Sequence, residues 1–234
     1  MKKLLMRTIL GFSSLLLMVS NSSAGPLDNI SGFSVGVSGS HAVYAATGVE
    51  KEDGEQIKEY GAFTHSHGSV FVELNINDAV SVGLDWTPSE ITTPQALNAQ
   101  HDDLTSPADP GNESMKENKA QVSFENHTLL YLKADTPVEL KGGNFYFLLG
   151  VSTVDIITEE TLGTGGRYPN SDTTGVHFGL GFEKDMDNGM FIRAQVVGAD
   201  YDDVEVTNAN NTSVSVKAED MIGAQASISV GKSF

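Results

Sequence analysis

The carboxyl-terminal segment Met221–Phe234, MIGAQASISVGKSF, alternates between apolar and polar residues and ends on an aromatic side chain. Ile222, Ile228 and Val230 lie on one side of this alternation, and residues such as Ser229 lie on the other. A period of two residues is typical of a β-strand, because successive side chains point to opposite faces. The segment therefore predicts a final strand with one apolar and one polar face.

Seven further segments alternate in the same way and are separated by turn or loop residues, which is typical of an all-β protein. They cover approximately residues 32–45, 63–76, 80–86, 119–133, 144–156, 174–183 and 190–204. The joins between strands are alternately short and long, and the long ones are residues 47–62, 88–118, 159–173 and 207–213. Transmembrane barrels have short periplasmic turns and longer extracellular loops. The sequence thus predicts an antiparallel, eight-stranded, transmembrane up-and-down β-barrel.

The apolar stripe of each predicted strand faces lipid if the barrel spans a membrane. The large side chains on these stripes include Trp86, Phe124, Phe145, Phe147, Phe178 and Phe182. A soluble, lipocalin-like barrel would instead direct the same stripes inward around a small ligand. The terminal aromatic residue and the alternating join lengths favour the membrane interpretation, and the soluble barrel stays as an alternative.

The amino terminus has the three parts of a secretory signal peptide. Lys2, Lys3 and Arg7 precede the apolar run 9–19, and small residues end at Ala24. A cleaved signal has this order of charged, apolar and small residues. We expect residues 1–24 to be removed during export and residues 25–234 to form one barrel domain.

Charge and cysteine content exclude several classes of protein. The chain has 234 residues, a formal net charge of −17 and no cysteine. Three of its 14 Lys and Arg residues, and none of its 31 acids, fall within residues 1–24, so the exported chain would carry −20. Such an acidic surface is unsuited to nucleic acid. An exported protein without disulfides needs another closed system of bonds, and a barrel supplies one.

Polar residues on the faces opposite the apolar stripes predict a polar lumen. The predicted lumenal network consists of Glu73, Asp85, Glu125, His127, Lys133, His177, Glu183, Arg193 and Gln195. Buried charges require partners. Glu183 and Arg193 flank one short turn and are candidates for a lumenal pair, with Glu125 or Glu73 as competing partners. An eight-stranded barrel is only just wide enough to be filled by side chains. We therefore expect a plug of ion pairs, with a gate or narrow channel as the alternative.

The final third of the chain resembles the small OmpA/OmpX/Ail-type outer-membrane proteins. The resemblance is carried by residues 179–183 (GLGFE), the 187–189 turn (DNG), residues 191–194 (FIRA), residues 200–203 (DYDD) and the terminal strand. Lys232 departs from the family, whose members often have an aromatic or apolar residue there. The resemblance implies a location in the bacterial outer membrane, contact with lipid and lipopolysaccharide, and insertion by the barrel-assembly machinery with Phe234 as the assembly signal.

Residues for metal binding or catalysis are sparse. His65 and His67 share a strand face, and the acidic pairs Asp102/Asp103 and Asp202/Asp203 offer oxygen ligands, so these are weak metal candidates. Barrel enzymes that modify lipid or cleave protein need an arranged serine, histidine and acid. Because no such arrangement is evident, we expect no catalytic activity and no cofactor, with a barrel-borne enzyme as an alternative.

The acidic, proline-containing joins suit exposed surface loops. They predict either a surface for an extracellular ligand or a charged coat beside lipopolysaccharide. The interpretation that follows is a non-enzymatic barrel with a role in envelope structure or surface interaction.

Overall fold

The computed structural model describes residues 32–52, 55–101, 115–162 and 167–234, so the predicted signal peptide lies outside the described part. The described residues form eleven β-strands. These are β1 (Gly32–Glu52), β2 (Glu55–Asn77), β3 (Val80–Trp86), β4 (Ile91–Thr92), β5 (Ala96–His101), β6 (Met115–Leu140), β7 (Gly143–Leu162), β8 (Ser171–Asp185), β9 (Met190–Tyr201), β10 (Val204–Thr207) and β11 (Val214–Ser233). No helix in this part of the chain has the length and apolarity to cross a membrane.

Eight of the strands form a closed antiparallel ring. Its order is β1, β2, β3, β6, β7, β8, β9 and β11, and β11 pairs back onto β1. The short strands β4 and β5 pair with β6, and β10 pairs with β11. At the closure, the Phe234 amide donates to the Phe33 carbonyl at 2.9 Å, and the two rings stack at 4.9 Å. The predicted eight-stranded up-and-down barrel is confirmed.

The first ring strand begins at Gly32 and the last one ends at Ser233, and both of these points lie at the same end of the barrel as the three short turns. We call this end the turn end. The turns are residues 78–79, 141–142 and 186–189, and the last two contain Gly142 and Gly189 at φ of 76° and 78°. The other end, which we call the open end, carries the longer connections. The prediction of a loop at 47–62 is wrong, because β1 and β2 continue there as a paired hairpin to Glu52 and Glu55.

An apolar band surrounds the half of the barrel nearest the turn end. Its exposed side chains include Phe33, Val37, Val43, Trp86, Leu130, Phe147, Leu149, Phe178, Val196 and Ile228. Along β1 the band runs from residue 33 to residue 43, and a membrane-crossing strand needs about 9–11 residues. The soluble lipocalin-like alternative requires these side chains to point inward, so the structure contradicts it.

Two β-bulges reverse the faces of β6 and β11 above the band. Between the β6/β7 pairs Glu125↔Asp155 and Thr128↔Thr153, β6 carries one extra residue, and Asn126 has a φ of 53°. Asp220, with a φ of 51°, marks the equivalent shift in β11. An extra residue moves every following side chain to the opposite face.

This reversal corrects two predictions. Phe124 was expected to face lipid, but it points into the lumen and stacks on Phe63 at 6.3 Å. Its neighbour Glu125 was expected in the lumen, but it lies on the outer face beside Asp155. Apolar and polar residues alternate without a break along the sequence of β6, whereas its pairing with β7 is interrupted at Asn126.

Candidate functional site

The lumen near the turn end contains a cluster of four charged side chains, which we call the ion-pair plug: Glu73, Lys133, Glu183 and Arg193. The Arg193 guanidinium lies 2.9 Å from Glu73 Oε1, and it also pairs with Glu183, to which its Nε donates at 2.7 Å. Lys133 Nζ lies 2.7 Å from Glu183 Oε1 and 3.8 Å from Glu73 Oε2. The side chains of Glu73 and Arg193 are only 1% and 3% exposed, so water cannot replace these partners.

Aromatic rings fill the space around the ion-pair plug. The Tyr131 hydroxyl donates to Glu73 at 2.7 Å, and the Tyr146 hydroxyl donates to Gln195 at 2.7 Å. Gly83 and Gly181 leave room for these rings, since a Cβ at either glycine would lie within 2.3 Å of a tyrosine ring carbon. The rings and the charged side chains pack together across the lumen at this level.

Phe71 and Phe191 complete the packing below the guanidinium. The Arg193 guanidinium carbon lies 5.0 Å and 5.2 Å from the two ring centroids. Both rings are buried, and cations are attracted to aromatic faces at such distances. The sequence predicts that Glu183 and Arg193 lie together, but it does not predict these aromatic partners. The signal that could have indicated them is the recurrence of glycine on the lumenal face, opposite large rings.

Polar side chains lie in a layer above the plug. Ser69 donates to Asp85 at 2.9 Å, and the Ser152 hydroxyl lies 2.7 Å from His177 Nε2. The rings of His127 and His177 lie 5.7 Å apart, and Nε2 of His127 is buried without a hydrogen-bond partner in the described part of the chain. This layer encloses a cavity of about 20 Å³, which has room for about one water molecule. Ser152 was not anticipated from sequence, because it is 25 residues from His177.

The lumen widens toward the open end into a cavity of about 620 Å³, which we call the apolar cup. Its walls are inward-facing side chains above the bulges, and His127 lies at its floor. The wall residues include Tyr44, Phe63, Ile91, Val122, Phe124, Val154, Ile156, Val204, Val206, Val216, Ala218 and Met221. Tyr44, Phe63 and Phe124 form a stacked series with ring centroids 5.3 Å and 6.3 Å apart. The predicted polar lumen therefore occupies only the half nearest the turn end.

The outer surface around the cup carries ion pairs. Lys51 lies 3.2 Å from Glu205, Lys58 lies 3.1 Å from Glu219, and Lys217 lies 2.7 Å from Asp203. These residues lie beyond the apolar band.

The strongest of these pairs perturbs both of its members. The hydrogen bond from Lys217 holds the pKa of Asp203 below its ordinary value of 3.8, and the Asp203 contact raises the pKa of Lys217 above 10.5. Above the band the wall is thus polar outside and apolar inside, the reverse of its arrangement within the band.

Of the nine predicted lumenal residues, eight lie inside the barrel and Glu125 lies outside. Four of the eight form the ion-pair plug. Gln195 bonds Tyr146 beside it, and Asp85, His127 and His177 belong to the layer above.

The predicted metal ligands do not converge. The rings of His65 and His67 lie 6.4 Å apart, and Asp203 is occupied by Lys217 while Asp202 accepts from Thr174. Among the described residues, no three His, Asp or Glu side chains lie close enough to share a metal ion. Asp102 and Asp103 lie outside the described residues.

Comparison with solved structures places this geometry among known barrels. The outer-membrane protein OprG from Pseudomonas aeruginosa matches over 88% of this chain and 97% of its own, with 14% identity and a TM-score of 0.53. The chain has the outer-membrane β-barrel fold. Outer-membrane barrels of this size have the short turns, exterior apolar band and closed ring seen here.

Two further solved structures match this chain less well. The outer-membrane protease OmpT from Escherichia coli matches 92% of this chain and all of its own at 8% identity, with a TM-score of 0.47. Neisserial surface protein A matches 88% of this chain and all of its own at 13% identity, with a TM-score of 0.39. No family model and no curated protein sequence matches the chain.

Proposed function

We propose that this chain is a non-enzymatic protein of the bacterial outer membrane, closed to solute flow and acting at the cell surface through its open end. The proposal is supported by the position of the ion-pair plug beneath the apolar cup, inside a barrel whose apolar band faces outward. The turn end then lies in the periplasm and the open end lies outside the cell.

The route to the membrane follows from the two termini. Residues 1–24 direct export, and the terminal strand with Phe234 is the segment that the barrel-assembly machinery recognises. The stacking of Phe234 on Phe33 supports this role, because it lies where the last strand closes the ring. Lipid covers the apolar band, and lipopolysaccharide lies beside the charged outer surface above it.

A closed lumen is favoured over a narrow channel by the packing at the level of Arg193. Its guanidinium contacts carboxylates from β2 and β8 and rings from β2, β7 and β9. Conduction would require several of these contacts to break together. Separating a buried charge from its partner costs several kcal/mol, about 3–5 in measured cases.

A non-enzymatic role is favoured over catalysis by the surroundings of the Ser152 and His177 pair. Ser152 is 2% exposed, so a substrate cannot approach its hydroxyl. A serine nucleophile also needs an acid that orients its histidine. In the described part of the chain, the rings that contact His177 are those of His127 and Tyr201. The hydrogen bond between Ser152 and His177 therefore stabilises the packing of the lumen.

Two measurements test the proposal. After expression in a Gram-negative cell, the protein is expected in the outer-membrane fraction with residues 1–24 removed, as read by intact mass. Refolded protein in planar bilayers is expected to give no unitary currents, with its insertion verified by protease protection of the band. Recovery in the periplasmic wash, or stable unitary currents, would contradict the proposal.

A further inference from the structure

The apolar cup has the size and lining that are typical of a ligand pocket. Ligand-binding pockets are concave, mostly apolar and about 300–1,000 Å³ in volume, with a few polar groups that orient the ligand. The cup has a volume of about 620 Å³. Glu59 at its wall is the one acid among the residues that line it, and no lysine or arginine lines it within the described part of the chain.

The apolar lining is unexpected for the interior of a membrane barrel, which is polar in most such proteins. Contact with lipid does not explain these apolar side chains, because the outer surface of the same part of the wall carries ion pairs. The bulge at Asn126 turns Val122 and Phe124 inward, and the bulge at Asp220 does the same for Val216 and Ala218. Without these bulges, each pair would lie on the outer face.

The floor of the cup offers a hydrogen-bonding group. His127 lines both the cup and the small polar cavity below it, and its Nε2 is buried without a partner in the described residues. A buried polar atom without a bond is costly, and a ligand group can satisfy it. Tyr201 lies beside His127, with ring centroids 6.5 Å apart, and also lines the cup.

We propose that the apolar cup binds a small, uncharged, mainly apolar molecule from the medium, with its aromatic or aliphatic body against Tyr44, Phe63 and Phe124. The ion-pair plug lies between the cup and the turn end, so the proposed ligand enters the cup from the open end. This proposal rests on the proposed orientation of the barrel, with the open end outside the cell. Binding of the ligand within the cup does not itself require a non-conducting barrel.

Naphthalene is a suitable probe because it is uncharged and aromatic. The protein is placed in lipid nanodiscs with labelled Ile and Met methyl groups, and naphthalene is titrated while methyl NMR spectra are recorded. Ile91, Ile156 and Met221 report from the cup, whereas Ile192 and Ile228 report from the lipid-facing surface. We expect a saturable shift of the three cup methyls and only a linear, partition-driven shift of the two outer ones.

Filling the cup provides the matched comparison. Ala120→Phe and Ala218→Phe add a ring from opposite walls, and each is expected to abolish the saturable shift. Ala194→Phe adds the same ring to the exposed lipid-facing surface and is expected to leave the shift intact. Use of two filling variants keeps the test informative if one fails to fold.

Three results would overturn the inference. One is a linear shift at all methyls, and another is a saturable shift that both filling variants retain. The third is a set of NOEs from the cup methyls to lipid acyl protons that vanish in deuterated lipid, which would identify a lipid chain as the occupant. A failure here with the protein still in the outer membrane and non-conducting leaves the proposed function standing, so the two failures are distinguishable.

Discussion

Removal of the positive charge at the centre of the ion-pair plug tests the energetics of the lumen. Arg193→Met keeps most of the side-chain volume but takes away the partner of Glu73, whose side chain is 1% exposed. Breaking a buried ion pair from one side costs about 3–5 kcal/mol. Lys133 stays 3.8 Å from Glu73 and compensates in part, so we expect a loss of about 3 kcal/mol in the free energy of unfolding.

The assay is urea unfolding of the barrel in lipid vesicles, followed by fluorescence of Trp86, the one tryptophan of the chain. Trp86 is 42% exposed on the outer face, so unfolding transfers it from lipid to water. The control is Lys51→Met, which breaks the exposed pair with Glu205 and is expected to change the free energy of unfolding far less, because water screens exposed ion pairs.

A second variant separates lost charge balance from lost packing. Glu73→Gln added to Arg193→Met removes the stranded carboxylate and leaves Lys133 paired with Glu183 at 2.7 Å. The double variant is therefore expected to regain most of the lost stability. The reasoning is refuted if Arg193→Met costs no more than Lys51→Met, or if the added Glu73→Gln recovers nothing.

Three further predictions concern the bulge, the close approach of a ring and the outer ion pairs. Asn126 has a φ of 53°, which glycine adopts without strain and valine does not. Asn126→Gly is therefore expected to be tolerated, whereas Asn126→Val is expected to lower the free energy of unfolding by about 1–3 kcal/mol in the same urea assay. Equal effects of the two substitutions would contradict the assigned bulge. Gly181→Ala would place a Cβ 2.1 Å from the Tyr146 ring and is expected to lower stability by about 1–3 kcal/mol, whereas Gly39→Ala, with no atom within 4 Å, is the neutral control. Lys217→Met is expected to raise the Asp203 pKa toward 3.8 in a carboxyl NMR titration. In the parent protein the ionised Asp203 stabilises the fold above pH 3.8, and this contribution is lost as pH falls through its lowered pKa. The contribution of charged Lys217 is lost only as pH rises above 10.5, through its raised pKa. An unchanged Asp203 titration in the variant would refute the assigned pair.

Alternation predicted the strands well because it is a local property of the chain. Each of the eight ring strands overlaps one predicted segment, although β1, β2, β6 and β11 extend further toward the open end than predicted. The turn at 187–189 has the glycine that a positive φ requires. The pairing of Glu183 with Arg193 was also predictable, since the two residues face each other across one hairpin.

The cup was not predictable, because it depends on two bulges that interrupt the strand geometry without interrupting the alternation of apolar and polar residues in the sequence. Asn126 and Asp220 leave the alternation of residue types intact while they reverse its direction in space. Phe124 therefore looks like a lipid-facing residue in sequence and lies in the lumen in the structure. Glu73 was only one of several possible partners for Arg193, since residues 120 positions apart meet only after the ring has closed.

The barrel wall has its apolar side outward within the band and inward above the bulges, and β6 carries this reversal. The chain has no cysteine, so single spin labels can be placed at Leu130, Glu125 and Val122 of β6 without interference. In vesicles, we predict that the label at Leu130 collides with oxygen and not with a water-soluble nickel chelate. The label at Glu125 is predicted to collide with the chelate, and the label at Val122 to be immobilised and shielded from both. A lipid-exposed label at Val122 together with a shielded label at Glu125 would contradict the claim.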